Sequence, residues 1–367
     1  MCVEMWRCGS VPRPPSSSFL RPPLARGHRA CTHMHTAYTR GERTGRARVS
    51  PLLKANTQAP CRIVCVRVGA GTGTEANESA VKLARHETGK PNIIVFKGGF
   101  HGRSLAALAM TSSKTAYGVG YGPLPSGFFQ VPFPYALHAP GSTMAEKEAF
   151  ASDASIAAIE ELLKETTAPS DTAAILVEPI LGEGGYVLPP AGFMKRLRQL
   201  CDKHGMLLIS DEVQSGCGRT GAMWAIEHED VEADMIVFAK GIASGMPLSG
   251  IATRGEFMKK SPPGSMGGTY GANAVSAAAA CATIDALYED KMFENATARG
   301  KQLQDGLRAL AAKYPGTVQD VRGRGCMVGL EFDAAKTGAG FAGAVTAAAM
   351  EEGLLLLTAV CDGPTRV

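Results

Sequence analysis

From residue 61 onward, short runs of β-branched and apolar residues alternate with longer amphipathic stretches, and this alternation constrains the fold more than any other feature of the chain. It is the pattern of an α/β protein, in which strands and helices take turns. Strands are predicted at Arg62–Val68, Ile93–Phe96, Ala173–Glu178, Leu207–Asp211, Met235–Phe238 and Met327–Phe332, with a shorter one at Ser249–Thr253. Their apolar runs are nearly continuous, so helices should cover both faces of the sheet.

The intervening segments read as helices. Ala76–Glu87 follows the first strand, and Met194–Cys201 carries apolar groups at Met194, Leu197, Leu200 and Cys201, with Gly205 placed to end the helix in a left-handed conformation. Alanine dominates Ala274–Leu287, which favours a helix that packs closely. Leu303, Leu307 and Leu310 mark one face of a further helix between Phe293 and Tyr314. Pro315-Gly316 then makes a turn before the Met327–Phe332 strand, and this last part reads as a second, smaller domain.

Net charge is +4, from 38 Lys and Arg against 34 Asp and Glu, but the excess sits at one end. Residues 1–60 hold nine Arg, Lys54 and only two acids, Glu4 and Glu42, which leaves residues 61–367 weakly acidic. Nucleic acid is therefore not an expected partner of the folded body. The basic segment is Pro- and Ser-rich and has no apolar signal core. Its composition suits an organellar transit peptide, hence a mitochondrial matrix or otherwise cytoplasmic protein, although its prolines oppose the usual amphipathic helix. A disordered extension and a gene-prediction artefact are the alternatives. No run of 18 apolar residues occurs, so no membrane partner is expected. Ten cysteines show no repeated CxxC framework and read as reduced thiols; Cys31-Thr32-His33-Met34-His35 lacks a second ligand pair, so no metal site is expected.

Candidate chemistry gathers at strand ends. Val68-Gly69-Ala70-Gly71-Thr72-Gly73-Thr74-Glu75 lies between a strand and a helix, where glycines admit a ligand and free helix N–H groups attract an anion. A dinucleotide site is the rival reading, since Gly69-Ala70-Gly71 begins a GxGxxG pattern, but Thr74 stands at the third glycine. The next strand ends in Lys97-Gly98-Gly99, where an acid for ribose hydroxyls would be wanted. Asp211 closes the apolar run Leu207–Asp211, and Lys240 follows Met235–Phe238. A buried carboxylate needs a partner such as a protonated ring nitrogen, and a desolvated lysine is suited to a Schiff base. A phosphate site, an aspartate and a lysine together are what holds pyridoxal phosphate as an electron sink.

From about Gly71 to about Ala359 the chain resembles the class III (ω-amino-acid) aminotransferases, a family dependent on pyridoxal 5'-phosphate. The resemblance lies in Gly73-Thr74-Glu75-Ala76-Asn77-Glu78, Phe100-His101-Gly102-Arg103, Glu178-Pro179-Ile180-Leu181-Gly182-Glu183-Gly184-Gly185, Asp211-Glu212-Val213-Gln214-Ser215-Gly216, Ala239-Lys240-Gly241 and Gly268-Thr269-Tyr270-Gly271. Within the family it looks most like the 4-aminobutyrate aminotransferases. The resemblance implies a fold-type I transferase: a mostly parallel central sheet with helices on both faces, plus a small α+β domain. Residues 61–288 would be the large cofactor domain, 289–367 an incomplete small domain, and 1–60 the leader.

The same resemblance implies roles. Lys240 would hold the cofactor covalently and move the substrate proton, and Asp211 would keep the ring nitrogen protonated. Gln214 would bond the phenolic oxygen, Phe100 and Val213 would sandwich the ring, and Thr72, Gly73 and Thr74 would cradle the phosphate. Thr269 would reach the cofactor phosphate of the neighbouring copy, which implies a homodimer. Glu183 would be a switch carboxylate, with Arg366 as its candidate arginine, binding the amino-acid and 2-oxo-acid substrates. The implied reaction transfers the amino group of an ω-amino acid, 4-aminobutyrate first, to 2-oxoglutarate, giving succinate semialdehyde and glutamate. Acetylornithine, ornithine and β-alanine aminotransferases are the alternatives, as is a truncated chain that keeps the cofactor residues without turnover. Gly71-Thr72 stands where the family has an Asn-Ser pair, and Thr72 preserves the hydroxyl.

Overall fold

The computed structural model of the protein describes residues 2–7 and 65–359. A seven-stranded sheet has the order β2-β8-β7-β6-β5-β3-β4, formed by β2 (Cys65–Ala70), β3 (Asn92–Phe96), β4 (Phe128–Val131), β5 (Thr172–Val177), β6 (Leu207–Asp211), β7 (Met235–Phe238) and β8 (Ser249–Thr253). β4, β3, β5, β6 and β7 are parallel. Only β8 is reversed, pairing antiparallel with both β7 and β2. The parallel strands therefore open their carboxyl ends on one edge, where α/β sheets bind ligands.

Side-chain alternation shows why both faces are covered. Ile93, Val95, Leu176, Ile209, Met235 and Val237 share a core with Ala80, Val81, Leu83 and Ala84 of α1 (Gly73–Thr88). Their neighbours Ile94, Phe96, Ile175, Val177, Leu208, Ile236 and Phe238 point the other way. That second core takes Ile159 and Leu163 of α3 (Met144–Glu165), Phe193, Met194, Leu197 and Leu200 of α4 (Phe193–His204), and Ala280 and Ile284 of α6 (Ala274–Glu289). Two short helices, α2 (Leu105–Met110) and α5 (Gly255–Lys260), add Ala107, Met110 and Phe257 to the α1 side. Every residue of β5 is buried, so it can run apolar from end to end. Gly205 caps α4 at φ +61°, as expected from its place after the apolar face.

Buried Asp234, just before β7, ties the layers together. Its carboxylate accepts from Arg198 Nη1 of α4 at 2.7 Å and the Leu208 N–H at 2.8 Å, and meets Arg254 Nη2, beyond β8, at 2.8 Å.

The second sheet is antiparallel throughout, in the order β11-β1-β10-β9, with β1 (Cys2–Arg7), β9 (Val318–Arg324), β10 (Met327–Phe332) and β11 (Leu354–Ala359). α7 (Met292–Lys313) and α9 (Phe341–Glu351) lie against it, with a short α8 (Ala334–Thr337) between. Leu330, Phe332 and Ala342 form its small core with Leu307, Val321, Val345 and Leu356. The leader expected over residues 1–60 is described only at Cys2–Arg7, which form a strand; its other residues and the Cys31–His35 cluster lie outside the described part. Among the described residues no helix is long and apolar enough to cross a membrane, and no group of His, Cys, Asp and Glu could hold a metal ion.

Candidate active site

A cavity of about 520 Å³ opens at the carboxyl edge of the large sheet, and its wall includes Thr72, Gly73, Thr74, Phe100, Asp211, Val213, Gln214 and Lys240. These residues come from four separate chain segments. Strand direction explains the meeting: β6 and β7 are parallel neighbours, so residues at or just after their ends share one rim.

Asp211 is the last residue of β6 and is 3% exposed. Its Oδ2 accepts from Asn77 Nδ2 and lies beside His101 Nδ1, each at 2.8 Å, while Oδ1 accepts the Val213 N–H at 3.0 Å. An ionised carboxylate has about four lone-pair sites, so these contacts fix the group and leave room for one more donor from the cavity. Glu212, the next residue, turns away from the cavity. It takes the hydroxyls of Ser210 and Ser215 and the N–H groups of Ala225 and Ile226, which anchor the loop after β6. Burial raises its pKa, against the pull of those four donors.

Behind Asp211 stands another buried acid, Glu178, which follows β5. The Phe100 N–H donates to its Oε1 at 2.8 Å and the Gly182 N–H to its Oε2 at 2.9 Å. Burial pushes its carboxyl up to about 7; His101 and the two N–H donors oppose the shift, and the Asp211 charge adds to it.

α1 begins at the cavity wall. Thr72 is its N-cap, and the Glu75 carboxylate accepts from the Gly71 and Thr72 N–H groups at 2.9 and 3.0 Å, completing a capping box. These are donors that a bound anion would want, and Glu75 satisfies them meanwhile. Thr74 Oγ1 accepts the Arg103 N–H at 2.9 Å, which ties the helix start to the segment carrying Phe100. A Cβ on Gly73 would lie 2.8 Å from Val213 Cγ1, so a side chain there would close the space between helix start and cavity wall.

Lys240 stands just after β7 with φ +46°, a left-handed backbone that costs a non-glycine residue on the order of 1 kcal/mol or more. Such strain, held by the strand on one side and a 3₁₀ turn on the other, aims the side chain and is common at functional positions. Gln214 Nε2 donates to the Tyr186 hydroxyl at 2.9 Å.

Glu183 lines a smaller adjoining cavity that shares Gln214 with the first. Its Oε2 accepts the Tyr117 hydroxyl at 3.2 Å and lies 3.5 Å from Lys114 Nζ. Thr269 sits in an exposed turn and belongs to neither wall. Arg366 lies outside the described residues.

Sequence reasoning assigned no role to Asn77, His101, Glu178, Arg103, Lys114 or Tyr117. The first four lie within the quoted motifs, which was the available signal. Arg103 also lines the larger cavity, its guanidinium 5.8 Å from the Phe100 ring centroid and 5.5 Å from that of Tyr117. Among the described residues it forms no ion pair.

The site can hold an anion at a helix start, a protonated ring nitrogen at a clamped carboxylate and a covalent adduct at a lysine. The model of the aminotransferase class-III family matches residues 47–363. The chain is 43% identical over 290 residues to 5-aminovalerate aminotransferase DavT of Pseudomonas putida, covering 78% of this chain and 66% of that protein. It is 40% identical over 291 residues to 4-aminobutyrate aminotransferase GabT of Escherichia coli, with the same coverage of each. The chain thus spans just under two thirds of the length of these curated relatives. Among solved structures, a taurine:2-oxoglutarate aminotransferase from Bifidobacterium kashiwanohense, in complex with PLP and glutamate, superposes with a TM-score of 0.72 at 29% identity, over 78% of this chain and 66% of that one. The fold is that of the fold-type I transferases, and the chain belongs to the class-III aminotransferase family.

Proposed function

We propose that the protein is a pyridoxal-phosphate-dependent aminotransferase that takes the amino group of an ω-amino acid, 4-aminobutyrate first, and passes it to 2-oxoglutarate. One observation carries this reading: Asp211, Lys240 and the start of α1 line a single cavity. The residues fit the cofactor. Asp211 keeps a lone pair free, Gly73 leaves space beside Val213, and the buried Asn77 Oδ1 has no hydrogen-bond partner of its own. Pyridoxal phosphate, when bound, supplies an electron sink for the carbon that loses or gains a proton.

Each residue then has a task. Asp211, oriented by Asn77 and His101, holds a proton on the ring nitrogen. Thr72, Gly73 and Thr74 bind the phosphate with N–H groups and hydroxyls as Glu75 gives way. Phe100 and Val213 bound the ring, and Gln214 bonds its phenolic oxygen. Lys240 holds the cofactor and carries the substrate proton as an amine. Arg103, a cation without a carboxylate partner among the described residues, receives the substrate's distal carboxylate. Thr269, exposed here, meets the phosphate bound by a second copy in a homodimer.

The relative at 43% identity favours one second reading for the donor, 5-aminovalerate, one methylene longer. The test is a donor panel of 4-aminobutyrate, 5-aminovalerate, acetylornithine, ornithine and β-alanine, each offered with 2-oxoglutarate, pyruvate and glyoxylate. Glutamate forming fastest from 4-aminobutyrate and 2-oxoglutarate is the expected result. A faster 5-aminovalerate reaction moves the donor by one carbon, and no transfer from any donor overturns the proposal.

A further inference from the structure

Gln214 lines both cavities, and its side-chain amide is set by groups that lie outside the larger one. Its Nε2 donates to the Tyr186 hydroxyl at 2.9 Å, and its Oε1 packs so closely on Gly182 that a Cβ there would collide with it. Tyr186 is itself firmly placed. It is 5% exposed, packs with Ile180 and Met327, and has φ +50°, a left-handed backbone that persists only where the surroundings fix it. Its loop closes on itself: the Gly185 and Tyr186 N–H groups donate to the Gly182 carbonyl at 2.9 and 3.2 Å, and Leu181 and Val187 exchange backbone bonds at 3.0 and 3.2 Å. The small sheet fastens the same loop from outside. Arg322 of β9 donates to the Gly185 carbonyl at 2.8 and 3.0 Å, and a Cβ added to Gly329 of β10 would lie 3.3 Å from that oxygen.

We propose that Tyr186 is a positioning residue for the cofactor site: its hydroxyl takes one hydrogen of the Gln214 amide and so directs the other at the phenolic oxygen. The inference rests on the transaminase reading above, in which Gln214 bonds that oxygen, and adds the group that aims it. A side-chain amide carries two N–H donors and one carbonyl acceptor, and only a donor suits an anionic oxygen. The terminal torsion of glutamine is broad, so the amide plane is fixed by its partners and not by its own rotamer preference. Without the Tyr186 hydroxyl, Nε2 loses the partner seen here and the amide is free to rotate away from the ring. The small sheet thus reaches the cofactor through Arg322, Gly185, Tyr186 and Gln214 in turn.

The test reads a spectrum and not turnover. The nitrogen that joins a lysine to pyridoxal phosphate gains and loses a proton with pH, and the absorption of the loaded protein changes as it does. A donor on the phenolic oxygen favours the deprotonated form, in which that oxygen no longer shares the nitrogen's proton, and so holds the midpoint down. Cofactor-loaded wild type, Tyr186→Phe, Gln214→Ala and the double variant are titrated with pH. Gln214→Ala should raise the midpoint by about one pH unit, the worth of one hydrogen bond to a charged group, and Tyr186→Phe by about half of that. In the Gln214→Ala background, Tyr186→Phe should add nothing. Its ring stays between Ile180 and Met327, so Tm should change little. A midpoint unmoved by Tyr186→Phe, or moved equally with and without Gln214, overturns the proposal, as does a Tm loss with no spectral shift. A wild-type chain that shows no cofactor absorption brings down the transaminase reading and this inference with it. A loaded wild type whose midpoint moves in Gln214→Ala but not in Tyr186→Phe refutes the role of Tyr186 alone.

Discussion

Asp211 and Glu183 are both carboxylates of the site, separated by Gln214, and they are held in opposite ways. Asp211 is 3% exposed, with three contacts between 2.8 and 3.0 Å from three different segments. Glu183 is 34% exposed and has one hydroxyl at 3.2 Å and one ammonium at 3.5 Å. A group that must hold one protonation state on a bound ring gains from rigidity and low dielectric. One that must make way for alternative ligands gains from a weak grip and nearby water. On the proposed function, the chemistry of the site is built at its buried end and substrate choice at its open end.

Changing the two carboxylates should separate these ends. Asp211→Asn keeps the shape but removes the charge facing the ring nitrogen, and should lower kcat by about 10²- to 10³-fold for every donor and acceptor alike. Steady-state kinetics over the donor panel checks this. Glu183→Gln should instead change the ratio of monocarboxylate to dicarboxylate KM. A uniform loss in both variants would erase the distinction between the two ends.

A second buried acid tests how far rigidity extends toward the small sheet. Glu331 of β10 meets Arg322 Nη1 at 2.7 Å and His138 Nε2 at 2.8 Å and accepts the Tyr135 hydroxyl, while Arg322 donates twice to the Gly185 carbonyl beside the Glu183 loop. Burial alone would raise the Glu331 pKa, but His138, Arg322 and Tyr135 outweigh it and hold it at about 2. The sign follows from the lowered folded value: the stabilisation is complete above about pH 4.5 and is lost as pH falls toward 2. Glu331→Gln leaves Arg322 its Asp320 partner at 2.9 Å and should cost about 2 kcal/mol at neutral pH through the weakened contacts to Arg322 and His138, and should flatten the acid limb of a Tm-against-pH curve. An unchanged acid limb would show that this network does not fasten the small sheet.

Glu178 gives the smallest effect and the opposite sign. Its folded pKa is raised to about 7, so its contribution favours folding most at low pH and declines as pH rises from about 4.5 through 7. Glu178→Gln keeps an acceptor for the Phe100 or Gly182 N–H and should remove that decline, seen as a shallower fall of Tm between pH 5 and 8. A steeper fall would place the negative charge among the groups that hold the site together.

The large sheet was legible because each strand is an apolar run with its own boundary signals. Leu207–Asp211, Met235–Phe238 and Ser249–Thr253 fall at the expected residues, and Asp211 and Lys240 stood out as charges at the ends of such runs. β4, with only Phe128–Val131 before a proline, and β9, an edge strand containing Asp320, Arg322 and Gly323, lack that continuity. β1 is defined by its pairing with β10 and β11, more than 300 residues away, and no local pattern marks it. The partners of Asp211 were hidden for the same reason: His101 and Asn77 lie 110 and 134 residues from it, and only the fold brings them together. Lys114 carries no local signature, and its pairing with Glu183 is visible only once the chain is folded.

The central claim is that Lys240 is the residue to which the cofactor attaches. Incubation of the chain with pyridoxal phosphate, reduction with borohydride and peptide mass mapping tests it directly. The cofactor mass should appear on the peptide containing Lys240 and disappear from Lys240→Ala. Attachment at another lysine, or none in the wild-type chain, would contradict the account.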